Sequence, residues 1–461
     1  MMLSKKRIAI AAPMVVALLA LSFPLSNLVC GPDNSGLLPA RKDGVPRWSK
    51  VQPILAKKCV VCHSYKAKKP FYAGLPIAKG RMQKDVKAAQ VWLDLPEELY
   101  RKGKIPLSEA ALSKIEFALN DNTMPPRRYL LLHWNHGLSK AEKKELRAWI
   151  RDTRHRFFTT PGVARRHAGG ALQPLPESVK VDAAKLALGE RLYNDKRLSG
   201  DDTLSCASCH ALDKGGTDRL RFSVGIKKQL GPINSPTVFN SGLQFVQFWD
   251  GRSPDLADQA GGPVENPLEM GSNWPQVITK LRQDEELLKA IEAIYGKNFT
   301  GKDLQDAIAE FEQTLITPSR FDRFLRGDAG ALTAAEQKGY HLFTKKGCVM
   351  CHVGRTVGGQ SFEKMGITRS YFEGKTLTDA DRGRYNVTKR ARDKHRFKVP
   401  MLRNIAVTAP YFHDGMTSDL AGAIQIMSKH QLENGLSKSE VAAVLAFLKS
   451  LTGAYKGKQL D

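Results

Sequence analysis

The sequence has a shortage of acidic residues and lacks the compositional bias that disordered chains show. Its 461 residues include 46 Asp and Glu against 71 Lys and Arg, which leaves a net charge of +25. Hydrophobic residues make up 42% and charged residues 25%, the proportions of an ordinary globular protein. These values exclude a disordered chain. The length is too great for one compact core, so we expect two to four domains.

The surplus of basic charge is concentrated in one part of the chain. Residues 31–170 contain 28 Lys and Arg but 12 Asp and Glu. Such a block could bind an anionic membrane surface, an acidic partner protein or nucleic acid. We expect no nucleic acid partner, because the N-terminus indicates export from the cytoplasm.

The N-terminus lacks a clear small-x-small cleavage site, although it otherwise has the features of an export signal. Basic residues at positions 5–7 precede an apolar run over residues 8–29, and roughly 20 residues are needed to cross a bilayer. We therefore predict a retained membrane helix within residues 1–30 whose basic end is cytoplasmic. This places the remaining chain on the periplasmic side of the cytoplasmic membrane. The alternative is a cleaved signal peptide and a soluble periplasmic protein, and lipidation at Cys30 is less favoured because Val29 is not small.

Six of the seven cysteines occur in three copies of one pattern, C-x-x-C-H, which is the attachment signature of c-type haem. The two thiols bond to the haem, and the adjacent histidine binds the iron from the proximal side. The three motifs are Cys59-Val60-Val61-Cys62-His63, Cys206-Ala207-Ser208-Cys209-His210 and Cys348-Val349-Met350-Cys351-His352.

Two other uses of these cysteines fit the sequence less well. Disulfides form in exported chains, but their pairing does not require a histidine after every second cysteine. Zinc would need a second ligand pair at finger-like spacing, and the sequence has none. We therefore predict three covalently bound haem c groups, with His63, His210 and His352 as the proximal ligands.

Capped helices flank the haem motifs. The sequence predicts helices over Asp182–Asn194 and from Thr333, and near-copies of one capping pattern begin helices at Ser139 and Ser437. Because both copies lie downstream of a haem motif, we expect an internal repeat. The predicted fold is mainly α, with three cytochrome c-like haem modules after an N-terminal membrane helix.

Breaks in this pattern indicate the module boundaries. Residues 161–180 are rich in proline and glycine and indicate a linker, and a second boundary lies near Gly327–Leu332. The predicted division is a signal or anchor over 1–30 and haem modules over 31–165, 166–330 and 331–461.

The ligand on the open side of each iron decides whether a haem transfers electrons or performs chemistry. For the first haem, Met124 is the preferred sixth ligand, with His133, His136 and Met82 as rivals. For the third haem, Met427 follows the motif at a distance typical of His/Met cytochromes, although the position also suits a core methionine.

The second haem has no obvious sixth ligand. Residues 211–266 contain no histidine and no methionine. Lys227 and Lys228 are alternatives, but lysine ligands are uncommon. We therefore predict a five-coordinate iron on His210 that can bind an exogenous ligand.

Several longer strings resemble the bacterial di-haem cytochrome c peroxidase family over roughly residues 175–455. They are Gly231–Asn240, Gln247–Arg252, Leu315–Pro318, Leu402–Ile405 and Thr408–His413. The additional N-terminal haem module and anchor resemble the membrane-bound three-haem branch, described as quinol peroxidases. The resemblance implies an enzyme that reduces hydrogen peroxide to water.

The resemblance also implies roles for the haems. The haem on His210 resembles the low-potential peroxidatic haem. The haem on His352, with Met427, resembles the high-potential haem through which electrons enter. Trp249 matches the tryptophan between the two.

Further residues match the family's pocket and its metal site. Gln259 and Glu269 match the distal pair of the peroxidatic pocket, in which Glu269 would act first as a base and then as an acid. Asn234, with the backbone carbonyls of Thr408 and Pro410, matches one calcium site at the domain interface.

One departure from the family concerns the peroxidatic iron. Many members place a distal histidine on this iron in the fully oxidised state and release it when the other haem is reduced. Ile226 occupies that position here. The resemblance therefore implies that the reductive switch is missing, and we expect high-spin ferric iron at His210 in the resting enzyme.

Two other functions stay open at this point. A MauG-like di-haem oxidase or maturation enzyme has a tyrosine where Met427 stands, so a His/Met spectrum would argue against it. A non-catalytic electron-transfer cytochrome would need three six-coordinate irons and would not bind cyanide. The electron donor is quinol or a cytochrome c. Related peroxidases often form homodimers, although the sequence has no interface signature.

Overall fold

The computed structural model describes Ser22, Leu25, Ser26 and residues 31–101, 105–131 and 133–461. The predicted membrane helix within residues 1–30 lies outside this part of the chain, apart from those three residues. Among the described residues, no helix is both long and apolar enough to cross a membrane. The chain divides into two compact units, Met1–Phe157 and Phe158–Asp461.

The first unit is helical, and the helices Trp48–Lys58 and Lys140–Phe157 share a buried core. Val51 and Leu55 on the former and Leu146 and Trp149 on the latter are buried, because residues three or four apart lie on one helix face. The ring of Trp48 lies 6.2 Å from that of Trp149. The helices are α1 (Trp48–Lys58), α2 (Pro76–Trp92), α3 (Leu95–Leu99), α4 (Glu109–Asp121), α5 (Arg127–Leu130) and α6 (Lys140–Phe157).

The second unit contains the other two haem motifs and is also mainly helical, as predicted. Its helices are α7 (Ala183–Tyr193), α8 (Cys206–Cys209), α9 (Leu256–Glu265), α10 (Trp274–Leu281), α11 (Glu285–Tyr295), α12 (Gly301–Gln313), α13 (Arg320–Leu325), α14 (Ala334–Lys345), α15 (Tyr385–Thr388), α16 (Leu420–Gln431) and α17 (Lys438–Lys449). Two short antiparallel strand pairs complete it. They are β1 (Phe362–Lys364) with β2 (Arg396–Lys398), and β3 (Ala454–Tyr455) with β4 (Lys458–Gln459).

The helix starts that the sequence predicts are confirmed by their capping bonds. The Asp182 carboxylate accepts hydrogen bonds from two backbone N–H groups at the start of α7. Thr333 and Ser437 each form a reciprocal capping box with the glutamate three residues further on, and Ser139 does the same. Each box satisfies N–H groups that a helix end leaves unpaired, so the local sequence fixes where these helices begin.

The helix that precedes each haem motif of the second unit crosses a later helix at a glycine. A Cβ on Gly189 of α7 would collide with the carbonyl of Ala307 on α12, and one on Gly339 of α14 would collide with the carbonyl of Ala443 on α17. A phenylalanine four residues after each alanine packs beside the glycine. Any side chain here would push the helices apart. The same contact therefore occurs in both halves of the second unit, while the repeat predicted from the capping patterns at Ser139 and Ser437 stays a prediction.

The segment that the sequence indicates as a linker packs within the second unit. Leu172 and Leu175 are buried, and the Leu175 N–H donates to the Asp322 carboxylate at 2.7 Å. Asp322 forms a fully buried ion pair with Arg403 at 2.8 Å. The boundary between the compact units falls after residue 157, before the stretch rich in proline and glycine. The division into three haem modules stays a prediction.

Candidate functional site

The six motif cysteines are free thiols in the structure. Burial raises the pKa of Cys59, Cys206 and Cys348 to about 12 and that of Cys209 to about 11, so these thiols are protonated at neutral pH. Within the described part of the chain, no three His, Cys, Asp or Glu side chains form a group that could hold a metal ion. Haem attachment at the three motifs rests on the C-x-x-C-H pattern itself.

The second motif presents a neutral histidine directly after its two thiols. Ser205 and the serine three residues later cap α8 reciprocally, and the Tyr193 hydroxyl donates to the His210 carbonyl oxygen at 2.5 Å. Burial lowers the pKa of His210, so its imidazole is neutral and can bind a metal. Its buried Nδ1 has no hydrogen-bond partner among the described residues, which is uncommon for a histidine with a purely structural role. These features fit a covalently bound haem c.

Glu269 lies half-buried in the turn after α9. The next residue, Met270, accepts a hydrogen bond at 2.7 Å from the N–H of Gly200, which lies shortly before the second motif. Asn266 Nδ2 donates to Glu269 Oε1 at 2.6 Å. Burial raises the pKa of Glu269, while the Asn266 hydrogen bond and the Arg252 guanidinium oppose that shift. Burial is the main reason that the pKa of Cys209 is raised, and the Asp218 and Glu269 carboxylates raise it further. A carboxyl group with a raised pKa beside a predicted iron site is suited to proton transfer.

The segment that follows the second motif folds against the Glu269 turn. The Ile226 N–H donates to the Glu269 carbonyl oxygen at 2.8 Å, and the buried Ile226 side chain packs on Gly271. Lys227 and Lys228, the alternative ligands, are exposed. This segment therefore holds an aliphatic side chain beside Glu269, and the match of Ile226 to the family's distal histidine stays a prediction.

Phe248, which directly precedes Trp249, packs against the helix that carries Gln259. The Arg252 guanidinium stacks on the Phe248 ring at 3.4 Å from its centroid. Phe248 also packs on Gly262, which follows the half-buried Gln259 by about one turn of α9. The structure thus brings the Trp249 loop, the Gln259 helix and the Glu269 turn into one region. The hydrogen-bonding role of Gln259 stays a prediction.

The third motif forms a 3-10 turn, Cys348–Met350, and the following His352 is buried. Burial lowers the pKa of His352 to about 4, so this imidazole is also neutral. Met427 on α16 and Trp249 pack against one aromatic cluster, which consists of Met365, Tyr371, Phe372 and Phe397. The predicted ligand of the third iron therefore lies in the same cluster as the predicted electron-transfer tryptophan. Coordination by Met427 stays a prediction.

At the first motif, one alternative to Met124 as the sixth ligand, His133, already has hydrogen-bond partners on both ring nitrogens. His63 Nδ1 lies 3.1 Å from a backbone carbonyl oxygen, and Met124 is 44% exposed. His133 uses both ring nitrogens, Nδ1 with the Tyr129 carbonyl oxygen at 2.8 Å and Nε2 with the Tyr72 hydroxyl. A histidine bonded in this way is a poorer candidate ligand than Met124, whose coordination stays a prediction.

The predicted calcium ligands lie on two segments that hydrogen-bond each other. The Asn234 N–H donates to the His413 carbonyl oxygen at 2.9 Å, and Thr408 and Pro410 precede His413 in the chain. The Asn234 amide donates from Nδ2 to the Leu220 carbonyl oxygen at 2.9 Å, which turns its Oδ1 away from that carbonyl. The arrangement is compatible with oxygen ligation, and the calcium site stays a prediction.

Three residues contribute to this region although the predictions from the sequence assign them no role. Asn266 precedes a proline, three residues before Glu269, and this turn-forming pattern could have predicted its hydrogen bond. Phe248 and Arg252 depend on the loop over residues 247–253, whose two ends hydrogen-bond each other. No local pattern in the sequence predicts that contact.

Two family profiles match the chain in separate regions. The profile described as di-haem cytochrome c peroxidase matches residues 183–330, which contain the second motif. The profile described as a haem-binding domain matches residues 39–152, which contain the first. Each compact unit therefore has its own haem-protein match.

Individual proteins extend these similarities over most of the chain. The cytochrome c peroxidase of Escherichia coli is 46% identical over 413 residues, which cover 88% of this chain and 88% of that protein. The cytochrome c551 peroxidase of Nitrosomonas europaea is 44% identical and covers 64% of this chain and 88% of its own length. Among solved structures, a MauG-like protein associated with microbial copper homeostasis superposes with a TM-score of 0.55 at 29% identity, over 60% of this chain and 95% of that one.

Proposed function

Because the chain belongs to the di-haem cytochrome c peroxidase family, it is a haem peroxidase, and we propose that it reduces hydrogen peroxide to water at the iron on His210. The observation that carries this proposal is the environment of Glu269. This carboxyl group is half-buried, has a raised pKa and is held by Asn266 beside the second haem motif. The adjoining segment places Ile226 there, which cannot bind iron.

The residues around the second motif would divide the work as follows. Cys206 and Cys209 would hold the haem and His210 its iron, and the haem, when bound, would supply the site for peroxide and deliver the two electrons of the donor. Glu269 would take a proton from one oxygen atom of the peroxide and give it to the other as the O–O bond breaks, so that the second oxygen leaves as water. The two electrons and two protons from solvent would convert the remaining oxygen atom to a second water. The raised pKa brings the proton affinity of Glu269 closer to neutral pH, where both transfers must occur. Gln259 donates a hydrogen bond that orients the substrate.

We further propose that three haem c groups serve the reaction. Cys348, Cys351 and His352, with Met427, hold the haem through which electrons enter the second unit. Trp249 lies on the path between this haem and the one on His210, and its packing in the same cluster as Met427 supports that role.

The remaining haem c group, at the first motif, would belong to the first unit. Cys59, Cys62 and His63 hold it, with Met124 as the sixth ligand, and it accepts electrons from the donor. One calcium ion at Asn234, Thr408 and Pro410 would brace the interface between the two haem modules of the second unit.

The donor would be quinol or a cytochrome c, and the protein would lie on the periplasmic side of the cytoplasmic membrane. The basic surplus of residues 31–170 suits an acidic donor protein or an anionic membrane surface. The similar proteins of Escherichia coli and Nitrosomonas europaea are cytochrome c peroxidases, which favours the cytochrome. Steady-state assays with reduced quinol and with reduced cytochrome c separate the two, and activity with cytochrome alone would rule out quinol. Sedimentation of the purified protein tests for a homodimer.

The experiment that tests the function is peroxide consumption by the purified holoprotein. We expect rapid consumption by the wild type with a reduced donor and a large loss in Glu269→Gln. A wild-type protein that carries its haems and does not consume peroxide would overturn the proposal.

A further inference from the structure

The loop that carries Trp249 is held by two basic residues from a distant part of the chain. Lys398 on β2 donates its backbone N–H to the Trp249 carbonyl oxygen at 2.7 Å and its Nζ to the Val246 carbonyl oxygen at 3.2 Å. Arg384, directly before α15, donates Nη1 to the carbonyl oxygens of residues 250 and 251 at 2.8 and 2.7 Å. These two residues therefore bond to four carbonyl oxygens on both sides of the tryptophan.

Lys398 has an environment that a purely structural residue would not need. It is 5% exposed, and burial lowers its pKa to about 7, while the Asp250 carboxylate opposes that shift. An amine is costly to bury unless it is hydrogen-bonded, and an aliphatic side chain could fill the same space on β2 without that cost. The retained amine indicates that its bond to the Val246 carbonyl has a use.

Arg384 is fixed from its other side by an aromatic ring. Its guanidinium lies 4.4 Å from the centroid of Phe362 on β1. Phe362 also packs on Gly251, where a Cβ would collide with the ring, and Gly251 has a φ of 65° that favours glycine. The loop is thus packed on Phe362 and hydrogen-bonded to both cations.

We propose that Lys398 and Arg384 form a cationic clamp that positions Trp249 for electron transfer between the two halves of the second unit. This inference rests on the proposed electron path through Trp249. The clamp acts on backbone carbonyls, so it fixes the position of the indole without touching it. A misplacement of about 1 Å at such a site can cost a hundredfold in rate, and a loop with free carbonyls would allow such shifts.

The test compares Lys398→Met and Arg384→Met with a matched control, Lys394→Met. Lys394 is exposed and lies four residues before Lys398, so its replacement removes the same charge without touching the loop. Hydrogen exchange of the amides of residues 246–251 in the holoprotein reports loop opening directly. We expect exchange about tenfold faster in both clamp variants and unchanged in the control, because Lys398→Met loses one side-chain hydrogen bond to the loop and Arg384→Met loses two.

Kinetic measurements distinguish a defect in electron transfer, which the clamp variants should show, from a defect in peroxide cleavage. With reduced donor in excess, kcat should fall about tenfold or more in the clamp variants, while the second-order rate of single-turnover peroxide consumption stays at the wild-type value. Equal exchange and equal kcat in Lys398→Met and the control would overturn the clamp. Absence of peroxide consumption in the wild type would overturn the proposed function instead.

If Lys398→Met does not fold, Arg384→Met and Arg384→Lys decide the question, because lysine should restore part of the loop protection that methionine loses.

Discussion

Replacement of Glu269 by glutamine tests the pocket with the smallest structural change. The two side chains are nearly isosteric, and glutamine Oε1 can still accept the Asn266 hydrogen bond, which is 2.6 Å long. Glutamine cannot take up a proton, so proton transfer is lost while packing and orientation remain. General acid–base catalysis contributes about 100- to 10,000-fold. We expect the second-order rate constant for peroxide consumption, measured by stopped flow, to fall within that range.

The stability of Glu269→Gln should not fall with its activity. Burial raises the pKa of Glu269 in the folded state, so the stability that this group contributes is present at low pH and is lost as pH rises through the folded pKa. Glutamine has no charged form and carries no such cost. The unfolding temperature of the variant at pH 7 should therefore equal or exceed that of the wild type, which separates a chemical defect from a folding defect.

The pH dependence adds a second check on the same group. Glu269 must be ionised to accept a proton, so wild-type activity should decline as pH falls through its raised pKa. Asn266→Ala removes a hydrogen bond that lowers this pKa, so the decline should move to higher pH. The matched control is Glu265→Gln, an exposed carboxylate at the end of α9, which should leave the rate and profile unchanged. If Glu269→Gln kept more than about a tenth of the wild-type rate, Glu269 would not be the proton-transfer group.

Three more outcomes are expected. The oxidised wild type should bind cyanide without prior reduction, seen as an absorbance shift, because Ile226 cannot occupy the iron on His210; a ferric protein that binds no cyanide would contradict this. Replacing Cys206 and Cys209 by alanine should reduce covalent haem from three to two per chain in a haemochrome assay, and an unchanged count would contradict the attachment site. Burial raises the pKa of Glu312 from 4.5 to about 8, so stability should fall as pH rises between these values, by at most about 5 kcal/mol. Glu312→Gln should remove most of that fall in urea unfolding, and parallel curves for the two proteins would refute this.

Short-range chemistry explains the features of the fold that the sequence predicts. Thr333 and Ser437 satisfy helix N–H groups within three residues, so their capping boxes are legible without any tertiary information. The C-x-x-C-H motif is equally local, because both thiols and the histidine lie within five consecutive residues. The helix crossing at Gly189 is only partly predictable. The sequence predicts the helix on which Gly189 lies, but not that this glycine contacts α12.

Contacts between distant residues explain what the sequence does not predict. In the sequence, Lys398 resembles an ordinary surface cation next to Phe397. Pairing of β2 with β1 buries it, and its Nζ bonds to Val246, which lies 152 residues earlier. The buried ion pair of Asp322 and Arg403 likewise joins residues that are far apart in the sequence. Asp322 also accepts a hydrogen bond from the Leu175 N–H, which lies in the segment that the composition indicates as a linker.

Trp249 and Glu269 are held by different parts of the chain, and this determines which functions mutations can separate. The Trp249 indole donates from Nε1 to the Asn234 carbonyl oxygen, and the Asn234 N–H donates to the His413 carbonyl oxygen, both at 2.9 Å. Together with Lys398, these bonds tie Trp249 to residues that follow the third motif. Glu269 instead depends on Asn266, three residues away in one turn. Changes after the third motif should therefore slow electron delivery while peroxide cleavage persists, and changes in the Glu269 turn should do the reverse. An enzyme arranged in this way can adapt to a new electron donor without rebuilding its proton-transfer group.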